Sequence, residues 1–269
     1  MRSRKMSGPL RTLLVFVFVV AFQPAAGVAQ SFDHSVLDRL LKDNVDALGM
    51  VDYDAFARSP EFRRYLDQLA GADLRSLPRG EQLALWINAY NAYTIELINR
   101  HGERRSIRNI NRTLGLVRGK GPWSESLAEV AGTSYTLDQI EHEIIRPRFQ
   151  EPRIHFALVC AAVGCPPLRR EAFTGSRLDR QLEEQAREFL LASPTKNGVD
   201  VGTRRVHLSP IFRWYAADFG RNDAALGRYL ARYFSGPERE LLESGRFRIE
   251  YTHYDWTLNS QAYANRGRQ

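Results

Sequence analysis

The stretch from Pro78 to Arg100 constrains this chain more than any other, because its pattern reads as one long helix ending at Gly102. Wound at about 100° per residue, Trp86, Leu97, Tyr90, Leu83, Thr94, Ile87 and Ile98 fill a wide apolar arc, which Ala84 and Ile95 extend. Other elements have to cover such an arc. Asn91 falls inside it and Asn88 at its edge. A buried amide left without partners costs roughly 1–3 kcal/mol, so each is expected either to pin a neighbouring loop or to serve a ligand.

Around this helix the spacing predicts others. Val36, Leu37, Leu40 and Leu41 recur at helical intervals after Ser35, and Phe62, Tyr65, Leu66 and Leu69 do so after Pro60. Residues 127–135 read as a hairpin turning at Gly132. Thr136 then opens a helix, with Gln139 as its capping-box partner. Ile154 to Val159 is apolar on both faces except at His155, which predicts a central strand. Ser176 is expected to cap a helix through Leu191. Residues 199–201 and 205–208 form a hairpin, helices follow over 210–219, 222–234 and 237–243, and residues 247–251 make a late strand. There is no regular βαβ alternation, no repeat and no linker-like segment. The expected fold is therefore α+β, one domain with helices packed on a small mixed sheet.

Polar residues interrupt apolar faces at two further places. In the helix over 137–146, Leu137, Ile140, Ile144 and Ile145 define the buried face, Glu141 projects from its middle, and His142 sits just off it. A buried carboxylate has to be paired or neutralised, so Glu141 reads as a buried ion-pair partner, a general acid or base, or the group that orients a histidine. His155 interrupts the apolar run just before Cys160, and reads as a hydrogen-bonded core histidine or as a base.

Cys160 and Cys165 are the only cysteines. Three chemistries fit their Cys-x4-Cys spacing. They can close a small disulfide loop, worth about 2 kcal/mol on the chain-entropy model. One can be a thiolate nucleophile with His155 or His142 as base and Glu141 or Asn91 as orienter. Or His142, His155, Cys160 and Cys165 can together ligate zinc, although no second close pair supports a metal site. No cofactor is otherwise expected. Tyr254 to Asn259 follows the last strand, with Asp255 either at the rim of a site or capping a turn.

The N-terminus bears on compartment. Arg2, Arg4, Lys5 and Arg11 precede and enter an apolar run, Leu13 to Phe22, followed by Pro24 and the small residues Ala25 to Ala29. This order predicts a secretory signal over residues 1–29, cleaved after Ala29 to leave a soluble periplasmic or extracellular product. The apolar run is about half of what spans a bilayer, so no stable membrane insertion is expected after cleavage. Of the net charge of +7, the leader carries +4, leaving +3 on residues 30–269. Basic residues alternate with Asp and Glu, which excludes the concentrated patch that nucleic-acid binding needs.

Four segments, LWINAYNAYTIEL (85–97), SYTLDQIEHEIIR (134–146), EPRIHFALVCAAVGCPPLR (151–169) and YDWTLN (254–259), resemble an uncharacterised family, the domain of unknown function 547. With the intervening chain the likeness spans about residues 45–260. It implies membership of an ancient fold found in bacteria, plants and animals, whose plant members carry a coiled coil ahead of it, and it implies no reaction. The family pattern maps onto Asn88, Asn91, Glu141, His142, His155, Cys160, Cys165, Pro166, Asp255 and Trp256. Relatives without a leader share the cysteines, which the resemblance sets against a purely disulfide role. The sequence thus favours an enzyme-like pocket for a small molecule or peptide, built on Cys160, Cys165, His155 and Glu141, with Asn88, Asn91, His142 and Asp255 as binding residues. The alternative is a non-catalytic binding or structural module with a buried polar network and a Cys160–Cys165 disulfide.

Overall fold

The computed structural model describes residues 30–111 and 121–266; the leader expected over residues 1–29 lies outside them. Helix α4 (Arg79–Arg100) runs through the middle of the core. Ala84, Leu85, Trp86, Ile87, Asn88 and Ala89 are buried in succession, so the helix is covered on every side and not along one arc. Around it pack α1 (Ser35–Asn44), α2 (Tyr53–Arg58), α3 (Pro60–Ala70) and the hairpin β1 (Ala128–Val130) to β2 (Thr133–Tyr135). Local chemistry sets these boundaries. Asp52 and Ser59 cap α2 and α3 by accepting from Ala55 N and Phe62 N, with Pro60 in the first turn of α3. Ala131 and Gly132 both take positive φ in the hairpin turn, where glycine bears that conformation without strain.

The second half is helical around a small mixed sheet. Helix α6 (Leu178–Leu191) starts two residues later than Ser176, which makes no cap; instead Gln181 bonds back to Thr174 N and Ala172 O. Strand β4 (Arg205–Leu208) pairs antiparallel with β3 (Gly198–Asp200) and parallel with β5 (Arg248–Tyr251). The helix expected over 210–219 is broken at Tyr215 into α7 (Ile211–Trp214) and α8 (Ala216–Phe219); α9 (Asp223–Leu230) and α10 (Gly236–Ser244) follow. The fold is α+β, as expected, but the body is centred on α4, and the strands β3 and β5 are partly or fully exposed.

Two segments depart from expectation at the site itself. The chain over 154–159 is not a strand. Pro152 to Phe156 winds as a 3₁₀ turn, capped by the Glu151 carboxylate on Arg153 N, and the rest runs as irregular chain. An apolar run buried on all sides reads the same in either conformation, and Pro152, with its fixed φ near −65°, favours the turn. Gln139–Ile145 is a π-helix continuing into α5 (Arg146–Phe149), with Arg146 N bonded to Glu141 O five residues back. Pro147 has no N–H for the next α-helical bond and its ring crowds the turn before it, which the wider π turn relieves. Among the described residues no helix is long and apolar enough to cross a membrane.

Candidate functional site

The polar residues that interrupt apolar faces come together from separate elements. His155, on the 3₁₀ turn, has its Nε2 2.7 Å from Asp218 Oδ2 on α8 and its Nδ1 3.7 Å from Glu141 Oε1 on the π-helix. Its side chain is 1 % exposed, and Tyr215 stacks on the ring at a centroid distance of 3.8 Å. The break between α7 and α8 falls at the residue whose ring makes this stack. Arg146 closes the far side with Nε 2.7 Å from Asp218 Oδ2 and Nη2 3.0 Å from Oδ1, a bidentate pair. The His155 hydrogen bond, followed by Arg146, holds the Asp218 carboxyl well below the usual carboxylate range. Burial, together with the neighbouring Glu141 that the phenol bonds, raises the Tyr215 phenol far above its ordinary value, so it stays a donor to that carboxylate.

The two asparagines both bond the backbone of a neighbouring segment. Asn91 Nδ2 donates to Ala157 O at 2.9 Å, and its Oδ1 accepts from Val159 N at 2.9 Å. Asn88 repeats the motif on Phe173, donating to its O at 2.8 Å and accepting from its N at 3.0 Å. Each amide imitates a strand neighbour for an irregular buried segment. Asn91 thereby fixes the chain that joins His155 to Cys160. Asp255 is likewise a turn cap, its Oδ1 accepting from Thr257 N at 2.8 Å.

Cys160 and Cys165 stand at disulfide distance, with Cα atoms 6.3 Å apart. Their loop is held by the chain after β5: Val163 N donates to Thr257 O and Gly164 N to Asp255 O, both at 2.8 Å. Tyr254 Oη lies 3.1 Å from each sulfur, and Lys196 Nζ donates to Cys165 O at 2.6 Å. Burial lowers the Lys196 ammonium to about 8. The four residues weighed as zinc ligands do not converge. The sulfurs are tied to each other, His155 faces carboxylates, and the exposed His142 takes a hydrogen bond from Arg146 Nη1 at 3.1 Å. Among the described residues no group of three or more His, Cys, Asp or Glu side chains could hold a metal ion.

A cleft of about 230 Å³ joins the two clusters. Glu141, His155 and the cysteine pair lie along it, with Asp138 and His142 beside them and Trp123, Trp214, Trp256, Tyr215 and Tyr254 forming much of its wall. The aromatic rings are mutually packed. Trp214 lies 4.7 Å from Tyr254 and 5.8 Å from Trp256, and Tyr254 lies 4.7 Å from Trp256, between ring centroids. Asn88, Asn91 and Asp255 do not line this cleft. Sequence reasoning missed Asp218, Tyr215, Arg146 and Lys196. A signal for the first existed: on a helix from Ile211, Asp218 falls beside Ile211 and Tyr215, the same polar-in-apolar anomaly that marked Glu141.

No curated protein and no solved structure matches the chain. The segment 74–190, which contains the first three resembling motifs but neither Asp218 nor YDWTLN, matches the family model described as "Protein of unknown function, DUF547".

Proposed function

We propose that the cleft binds a small cationic ligand, or the basic side chain of a peptide, in a protein exported from the cytoplasm, and that it works by binding and not by a thiolate–imidazole reaction. The observation that carries the reading is the convergence of aromatic faces with carboxylates in one small cavity: Trp214, Trp256 and Tyr254 on the wall, Glu141 and Asp138 beside them. The negative face of an indole or phenol attracts a cation by about 0.5–2 kcal/mol, and a desolvated carboxylate adds a directional partner. Burial raises the Asp138 carboxyl above its usual range, and an arriving cation would draw it back toward the charged form. The Cys/His enzyme reading has less support. The hydrogen bond of the His155 ring goes to Asp218 and not to a sulfur, and the ring is buried under Tyr215.

Calorimetric titration of the purified protein with choline and with its neutral isostere 3,3-dimethylbutanol tests this. Choline should bind and the alcohol should bind at least about tenfold more weakly, as one cation–π contact with its carboxylate requires. Trp256→Ala should lower choline affinity by a similar factor. Equal affinity for the two compounds would remove the cationic reading. Export rests on the leader alone, and N-terminal sequencing of material from the producing cell should find Gln30 first.

A further inference from the structure

The two sulfurs differ in their surroundings. Cys160 is partly exposed on the wall of the cleft, whereas Cys165 is 2 % exposed. The peptide N–H of Cys160 donates to Cys165 Sγ at 3.0 Å. Tyr254 Oη lies 3.1 Å from both sulfurs, and a disulfide sulfur carries no proton, so the phenol is the donor in each contact. The ammonium of Lys196 sits against the carbonyl of Cys165. Two donors, the Cys160 N–H and the Tyr254 O–H, therefore meet at the Cys165 sulfur and one at the Cys160 sulfur, and Cys160 is the more exposed of the two cysteines on the cleft that both line. A disulfide that only staples a loop requires no such asymmetry.

We propose that Cys160–Cys165 is a thiol–disulfide exchange site, entered from the aromatic cleft, at which a low-molecular-weight thiol attacks Cys160 and Cys165 departs as the thiolate. The attacking thiolate forms a bond to Cys160 Sγ, the Cys160–Cys165 bond breaks, and its electron pair goes to Cys165 Sγ. There the Cys160 N–H and the Tyr254 O–H already point at the charge that develops. A second thiolate then attacks the outer sulfur of the mixed disulfide, releasing Cys160 as thiolate and the small disulfide as product. Two small thiols are oxidised, the protein disulfide is reduced by two electrons, and both cysteine sulfurs take up the protons the small thiols gave. Exchange is faster when the leaving thiol has a low pKa and when the attacked sulfur is reachable, and this arrangement supplies the two conditions at different atoms. The cavity volume of about 230 Å³ sets the substrate class as a small thiol. The proposal stands apart from cation binding, since the choline titration is read through Trp256 and the exchange assay through the two sulfurs.

The test treats the native, oxidised full-length protein with limiting glutathione, quenches with acid and locates the adduct by fragmentation mass spectrometry. Glutathione should be found on Cys160, with Cys165 free to be alkylated and the circular dichroism unchanged. In the fully reduced protein, the ultraviolet absorbance of thiolate should titrate below the free-cysteine value of about 8.5. Tyr254→Phe should move that titration upward and slow mixed-disulfide formation by about tenfold, the worth of one hydrogen bond to a charged atom. The titration shift separates a hydrogen-bonding role from simple loss of packing. An adduct on Cys165, reduction only after denaturant is added, or thiolate titrating at the free-cysteine value would each overturn the proposal.

Discussion

Replacing Asp218 by asparagine takes a charged acceptor from two donors at once, because Arg146 Nε and His155 Nε2 both end on Oδ2 at 2.7 Å. Hydrogen bonds to charged groups contribute about 1.5–3 kcal/mol each, and the asparagine oxygen retains part of that, so Asp218→Asn should destabilise by about 2 kcal/mol in urea unfolding. The sign of the pH effect follows from the depressed carboxyl. The unfolded chain protonates Asp218 near pH 3.9, whereas the folded chain, with His155 and Arg146 on it, does so only at lower pH. Its contribution is complete above the unfolded value and lost as pH falls below it toward the folded one. Urea midpoints measured downward from pH 5 should therefore fall less steeply for Asp218→Asn than for the parent. Parallel curves would mean that solvent screens the pair, as it does most exposed ion pairs. Residues of this kind were half legible. Glu141 and His155 betrayed themselves by sitting on apolar faces, and both are buried and 3.7 Å apart. Asp218 is hidden because the pattern of 210–219 does not encode the break at Tyr215 that precedes it, and Arg146 because a basic residue at a helix end usually faces solvent.

At the scale of elements, periodicity found the helices and missed the turns that aim the site. The spacing of Leu37, Leu41, Phe62, Tyr65 and Leu69 placed α1 and α3, and Thr136 with Gln139 forms the expected reciprocal cap. A π turn differs from an α turn by one residue in its bonding, a difference that the pattern of Ile140, Ile144 and Ile145 does not encode. The strand read into 154–159 failed because its hydrogen-bonding neighbour is not another strand but the side chain of Asn91. Asn91→Ala would leave Ala157 O and Val159 N buried without partners, which should cost roughly 2–4 kcal/mol. It should also loosen the path from His155 to Cys160, seen as faster amide exchange at Val159. The disulfide loop offers a second check. A Cβ on Gly164 would stand 2.9 Å from both Asp255 N and Tyr254 Cδ1, so Gly164→Ala must push the loop off the chain after β5. A loss of about 1–3 kcal/mol is expected from such overpacking, read as a lower melting temperature, and an unchanged melting temperature would show that the loop can yield.

Across the whole molecule, the segment after β5 closes the structure, and it lies outside the part that matches the family model. Asn259 O accepts from Val51 N at 2.8 Å and its side chain from the Tyr53 hydroxyl at 2.5 Å, while Asn259 N donates to Ala161 O at 3.2 Å. Leu258 N donates to Arg105 O at 2.8 Å, and Ser106 Oγ donates to Trp256 O at 2.7 Å. One short stretch thus joins the turn before α2, the chain after α4 and the disulfide loop, three regions far apart in sequence. Trp214, Tyr215, Tyr254 and Trp256 also lie beyond residue 190, so the cleft is not contained in the matched segment. A chain ending at residue 253 keeps every helix from α1 to α10 and the sheet, yet loses Tyr254, Trp256 and these ties. It should retain most of its far-ultraviolet circular dichroism but unfold at lower urea with a broader transition, and amides at Val51 and Val163 should exchange far faster than in the full chain. Unchanged cooperativity would show that the core around α4 is self-sufficient and that the terminal segment serves only the cleft. Loss of all structure would show that the long-range ties are needed to form the core itself.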